Sequence, residues 1–148
     1  MRFSEIQRRD VVDLTTAEVI GHVDDAIVDA NARLLMGFTL KKTPGKSDWL
    51  AWSNIKSIGV DAVTVESVGV LTEQPEGKEQ LLLGDDAIGG RVLNDEGQSM
   101  SPLADIDFDP LTGHVEALIL SDSAIIPGSD LLGVGTFATV VKTVVAFP

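Results

Sequence analysis

Leu103–Leu120 reads LADIDFDPLTGHVEALIL, and this stretch decides the fold. Apolar and polar residues alternate along Leu103–Phe108, as in a strand with one buried face. Asp109-Pro110-Leu111-Thr112-Gly113 supplies a turn, because proline fixes φ near its start and glycine accepts a positive φ at its end. Val115–Leu120 then returns as a second strand. Val23–Leu40, VDDAIVDANARLLMGFTL, has the same plan eighty positions earlier. No long segment carries an apolar stripe of period 3.6, so the pattern predicts an all-β protein built twice around one hairpin.

Working outward, Ser4 reads as the N-cap of a single helical turn, with Gln7 three residues on. A strand starts at Val11, Thr15–Glu18 turns, and β-branched residues recur up to Asp29. Asp29–Arg33 connects the hairpin arms, with Asn31 as its candidate for a left-handed conformation. Thr43-Pro44-Gly45-Lys46 is a turn. Trp49–Trp52 predicts a short strand, Ser53-Asn54-Ile55 a helical turn, and Ala62–Val68 the last strand of this half. Residues 71–80 lose periodicity and gain Pro75, Gly77 and charge, which predicts a linker between domains at 1–70 and 81–148. Beyond it, strands are expected over Arg91–Leu93, Met100–Asp109, His114–Ser121, Ala124–Pro127 and Ala138–Phe147.

The halves align at the level of residues. Residues 12–40 fall on 92–120 without a gap, bringing Val12, Asp25, Asp29 and Leu40 onto Val92, Asp105, Asp109 and Leu120. After a loop the offset becomes seventy-six, and Ser53, Gly59, Ala62 and Val65 meet Ser129, Gly135, Ala138 and Val141. Loops absorb length changes at little cost, and the four-residue difference falls where Thr43–Lys46 lengthens one of them. The order of the matches and their shared apolar pattern predict a tandem duplication.

These residues resemble the PRC-barrel family, which takes in the cytoplasmic domain of the photosynthetic reaction-centre H subunit and the C-terminal domain of the bacterial ribosome maturation factor. The first half offers Gly21, Asp25, Asp29, Ile55, Gly59 and Val65 to the family pattern. The second offers Asp105, Asp109, Gly113, Pro127, Leu131, Gly135 and Val141. Arg33 stands where the turn glycine is usual, Ala51 replaces the proline, and Ser101 replaces the counterpart of Gly21. The resemblance implies two small, partly open β-barrels packed as a pseudo-dimer. It also implies a non-enzymatic adaptor or scaffold that binds another protein and needs no cofactor.

Charge narrows the partners. There are 23 acidic residues against 11 basic, a formal charge of -12, which repels nucleic-acid backbones and anionic membrane surfaces. A basic protein partner would instead be drawn in faster. The chain has no cysteine, so it has no disulfide framework and no thiolate nucleophile or metal ligand. MRFSEIQRRD lacks the apolar run of a signal peptide, and no apolar stretch reaches the roughly 20 residues that span a bilayer. The expectation is a cytoplasmic protein, a monomer with internal pseudo-symmetry or a homodimer.

Asp105, Asp107 and Asp109, with Glu116 at position twelve of the same window, match the spacing of a calcium loop. This makes a cation- or small-ligand-binding sensor the alternative to the adaptor. Pro110 occupies the position where such a loop needs a flexible glycine, no helices flank the segment, and the first half keeps only Asp25 and Asp29. Gly133–Ala138 satisfies G-x-G-x-x-A, but the strand–helix context of a dinucleotide site is missing. His22 and His114 belong to no ligand or triad spacing. Ser53 and Ser129 lack the setting of a nucleophile and read as turn residues. Trp49 and Trp52 fall on opposite faces of a regular strand, so one is expected in the core and the other as an anchor for a partner.

Overall fold

A computed structural model describes residues 1–75 and 81–143. The first half opens with a one-turn helix, α1 (Phe3–Ile6). It continues through β1 (Asp10–Asp13), β2 (Glu18–Asp29), β3 (Leu34–Lys41) and β4 (Trp49–Ala51), and ends on β5 (Ser57–Ile58) and β6 (Ala62–Val65). A single 3₁₀ turn, Trp52–Asn54, joins β4 to β5. The six strands form one sheet in the order β4-β3-β2-β1-β6-β5, open at both edges. Only the β1–β6 pair is parallel.

The second half repeats this order with shorter pieces. A five-residue π turn (Leu83–Ala87) precedes β7 (Val92–Asn94), β8 (Ser99–Met100), β9 (Leu103–Phe108), β10 (Val115–Leu120) and β11 (Ile125–Pro127). A 3₁₀ turn, Gly128–Asp130, leads to β12 (Leu131–Val134) and β13 (Thr139–Val141). Here the strands divide into two sheets, β11-β10-β9 and β12-β13-β7-β8. The division falls at Ser101-Pro102, inside the strand expected over Met100–Asp109. β2 runs unbroken through twelve residues, whereas its counterpart is β8 plus β9. Proline has no N–H to give a ladder, and Pro102 stands where the first half has His22.

The ungapped alignment needs correcting. Val11 pairs with Val63 and Val92 with Thr139, so Val11, not Val12, corresponds to Val92. Both are fully buried, while Val12 is not. The offset is eighty at Ser4 and Gly84 but eighty-one from Ile6 and Ala87 onward, because the π turn holds one residue more than α1. Gln7 N–H reaches Phe3 O, whereas Ile88 N–H reaches Leu83 O, one residue further back. The extra residue is lost again before β9, opposite a register shift between Val11 and Val12 in the first half. Arg8 and Gly89, at matched positions, both have positive φ and donate to the matched carbonyls of Val23 and Leu103.

Other expectations change locally. Arg2 caps α1, its N–H received by the Glu5 carboxylate at 2.9 Å, and Ser4 lies inside the turn. Arg33, with φ of 56°, takes the left-handed conformation expected of Asn31. β12 precedes the final strand, where the sequence pattern suggested only glycine breaks. β13 stops at Val141, and the remainder of the strand expected to Phe147 lies beyond residue 143, outside the described residues. Leu71 and Thr72, expected in a linker, are packed: Thr72 exchanges two backbone hydrogen bonds with Trp49. Residues 76–80 lie outside the described residues.

One apolar cluster fills the interior and draws on both halves, from Phe3, Phe38 and Leu50 to Leu103, Phe108 and Leu131. Phe38 and Phe108 of this cluster meet the half-buried Trp52, with ring centroids 5.9 to 6.4 Å apart in tilted and edge-on pairs.

Candidate functional site

The junction between the halves is built from contacts that occur twice. Asp25, buried on β2, accepts from Gly84 N–H at 2.6 Å, Asp85 N–H at 3.0 Å and its neighbour Ala26 N–H at 2.8 Å. Asp105, buried on β9, accepts from Ser4 N–H at 3.2 Å, from the Ser4 hydroxyl, and from Ile106 N–H at 2.9 Å. Each aspartate therefore satisfies the free amides at the start of the other half's helical turn. Leu35 N–H donates to Gly113 O and Val115 N–H to Arg33 O, both at 2.8 Å, while Leu34 faces His114. Arg2 bridges to Asp107, and Leu82 to Ile27. Most of these pairs recur with their partners exchanged, as in an isologous interface, and Leu34–His114 is its own counterpart.

Burial pushes the Asp25 carboxyl above the ordinary aspartate range, and the nearby Asp85 charge adds to the rise, against the pull of the three amides. Asp13, on β1, goes the other way. Burial raises it, but the amides of Thr16, Val68 and Thr15 more than offset that and hold it low.

Two of the clefts at this junction occupy matched places, each between the hairpin turn of one half and the segment after the 3₁₀ turn of the other. They are not alike. One, beside Pro110 and Leu111, measures about 170 Å³ and has Trp52 in its wall. The other, beside Ala30 and Asn31, opens to about 630 Å³ and is lined across by Leu132–Thr136. Met36 and Leu132 are partly exposed at its lip. β12 is an edge strand, and among the described residues no strand pairs with its outer side. A Cβ built on Gly133 meets nothing within 4 Å, so the cleft is open where the edge strand lines it.

Side chains differ at matched places beside the two clefts. Trp52 packs over Gly113, where a Cβ would come within 3.0 Å of the indole. At the matched places the sizes are reversed: Gly128 stands for Trp52 and Arg33 for Gly113. Arg33 instead donates from Nε to Leu131 O at 3.1 Å. Met36 on the open side corresponds to Glu116 on the other.

The four carboxylates of the calcium-like spacing do not converge. Asp105 is taken up by Ser4, and Asp107 lies 3.8 Å from Arg2 in an exposed pair. Asp109 caps its own turn by accepting from Leu111 N–H at 2.8 Å, and Glu116 is exposed. Among the described residues no group of three or more His, Cys, Asp or Glu side chains is placed to hold a metal ion. Trp49 is 4% exposed, and its ring lies where a Cβ on Gly37 would stand, so it packs in the core. Trp52 is half-buried against the second half. His22 pairs with Asp10 at 2.8 Å, and His114 meets the Thr112 hydroxyl at 3.1 Å. Gly133–Ala138 spans the β12–β13 hairpin, and among the described residues no helix follows the glycines.

No sequence motif marks Met36 or Leu132 as lining a cleft, and Gly133 stands out in the sequence only as the first glycine of G-x-G-x-x-A. The available signal was a mismatch between the halves: Met36 against Glu116, and Gly128 against Trp52.

No curated protein matches the chain. Among the described residues no helix is long and apolar enough to cross a membrane. The family model of the PRC-barrel domain matches residues 1–71, the stretch from α1 to the buried Leu71, and the all-β, open-sheeted fold is PRC-barrel-like.

Proposed function

We propose that the chain is a non-enzymatic interaction module made by tandem duplication of a PRC-barrel-like unit of roughly seventy residues, its halves packed as an internal pseudo-dimer. The exchanged contacts of Asp25 with Gly84 and of Asp105 with Ser4 support the duplication. Its partner is another protein, which presents an extended, basic segment to the open cleft. The carrying observation is that one of two matched clefts, with Trp52 in its wall, measures about 170 Å³ while the other measures about 630 Å³ beside the free edge of β12. A free edge offers backbone groups to an added strand, and Met36 and Leu132 offer apolar seats for its alternate side chains. The charge of -12 favours a basic segment in the encounter.

Gly133→Val fills the cleft from a position with open space, and a β-branched residue suits a strand. The set of proteins that the wild-type chain retains should be lost by Gly133→Val and by Met36→Glu, the latter borrowing the residue of the closed side. Leu111→Ser, on the exposed tip of the other turn, should leave retention intact. A folded Gly133→Val variant that binds the same proteins equally well would overturn the proposal.

A further inference from the structure

A second concave surface lies wholly within the first half and shares no residue with the cleft above. It measures about 430 Å³ and is lined by Gln7, Arg8, His22, Val23, Asp24, Lys41 and Lys42. That volume suits a small organic ligand. Three of the chain's 11 basic residues meet here, in a protein of net charge -12. Lys41 is paired with Asp24 at 3.3 Å, and His22 with Asp10 at 2.8 Å. Arg8 and Lys42 form no ion pair among the described residues. The groove thus presents two uncompensated positive charges.

The backbone marks the same two residues. Arg8 and Lys42 have φ of 69° and 58°, the left-handed region that side chains with a Cβ disfavour. The second half shows what the fold alone requires. Its counterpart of Arg8 is Gly89, also at positive φ and making the same backbone hydrogen bond. Its counterparts of His22, Lys41 and Lys42 are Pro102, Ser121 and Asp122, none of them basic. The first half therefore keeps cations where the other half keeps a glycine and an acid. The turn requires a left-handed residue at position 8, which glycine supplies without a Cβ penalty, so the arginine side chain is the part that the fold does not require.

We infer that this groove binds the phosphate group of a small organic phosphate. Arg8 supplies a planar fork that matches two phosphate oxygens, and Lys42 a mobile point charge. Two unpaired cations match the roughly two negative charges of a phosphate monoester at neutral pH. The surrounding acidic surface is screened within about 8–10 Å at ordinary ionic strength, so the local dication governs binding.

The test titrates inorganic phosphate, and separately glycerol phosphate, into the full chain while amide chemical shifts are followed. Saturable changes are expected at Gln7–Arg8, His22–Asp24 and Lys41–Lys42, with a rise in melting temperature. Tighter binding of glycerol phosphate would support an organic phosphate as the occupant, and equal binding would overturn that part in favour of the free ion. The double variant Arg8→Gly/Lys42→Gly relieves both left-handed positions and so should fold at least as well. It should weaken binding at least tenfold and abolish the melting shift. Changes that never saturate, or that persist in the folded double variant, would overturn the site altogether.

Discussion

At position 52 the first half carries the largest side chain available, and at the matched position 128 the second half carries none. Both residues open a 3₁₀ turn after an edge strand, yet Trp52 lies over the partner half while Gly128 is pressed against the β10 backbone. The contacts that hold the halves together are duplicated, and the residues beside those contacts are not. The junction rests on what the halves share, and the two clefts differ in what they do not.

The sharpest way to break this comparison is at Gly128. A Cβ there would overlap the Val115 carbonyl oxygen, which is backbone and cannot swing aside. Gly128→Ala should destabilise the protein by about 3 kcal/mol, the upper part of the range for overpacking. Chemical denaturation would measure it, and a loss below about 1 kcal/mol would mean the turn relaxes as freely as at Trp52.

Next in size come the exchanged aspartates. Asp25→Ala strips the acceptor from three amides and should cost about 2–3 kcal/mol. Asp105→Ala loses the amides of Ser4 and Ile106 and the Ser4 hydroxyl, and should cost about 1–2 kcal/mol because Ser4 can turn to water. Each variant should still unfold in one transition, because the apolar cluster runs through both halves. Two separated transitions after Asp25→Ala would show halves that fold independently.

The hairpin, its turn and the all-β class were legible in the sequence because alternation and Pro-Gly turn chemistry are local. So was the pairing of Asp25 with Asp105, since identical residues survive at a constant spacing. The one-residue shift at Val11 was not, because a π turn leaves no compositional mark and its extra residue is removed again before β9. The break at Pro102 could have been read, as proline inside an expected strand argues against continuity. The larger cleft was illegible for a different reason: Met36 and Leu132–Thr136 come from opposite halves and meet only in the folded protein.

Acid separates the two kinds of buried carboxylate. Asp13 is held low, so its contribution to stability is present above the unfolded value of about 3.9 and is lost as pH falls through its folded value. The stability gap between wild type and Asp13→Asn should therefore shrink below about pH 4. Asp25 is raised, so its contribution is present below the unfolded value and is lost as pH rises through its folded one. The gap to Asp25→Ala should widen on acidification. Denaturant midpoints across a pH series would show slopes of opposite sign, and parallel slopes would refute the contrast.

The smallest effect is expected at the other exchange of sizes, Arg33 against Gly113. Arg33→Gly removes a left-handed residue with a side chain, a gain of roughly 1 kcal/mol. It also removes the Nε hydrogen bond to Leu131 O, a half-buried charged contact also worth about 1 kcal/mol. The two should nearly cancel in a thermal or denaturant measurement. The reverse change has no such balance. Gly113→Arg keeps the left-handed φ of 81° but drives a Cβ to within 3.0 Å of Trp52, so it must displace the ring that lines the smaller cleft. A neutral Arg33→Gly beside a destabilising Gly113→Arg would establish that Trp52, not the turn, sets the difference between the halves.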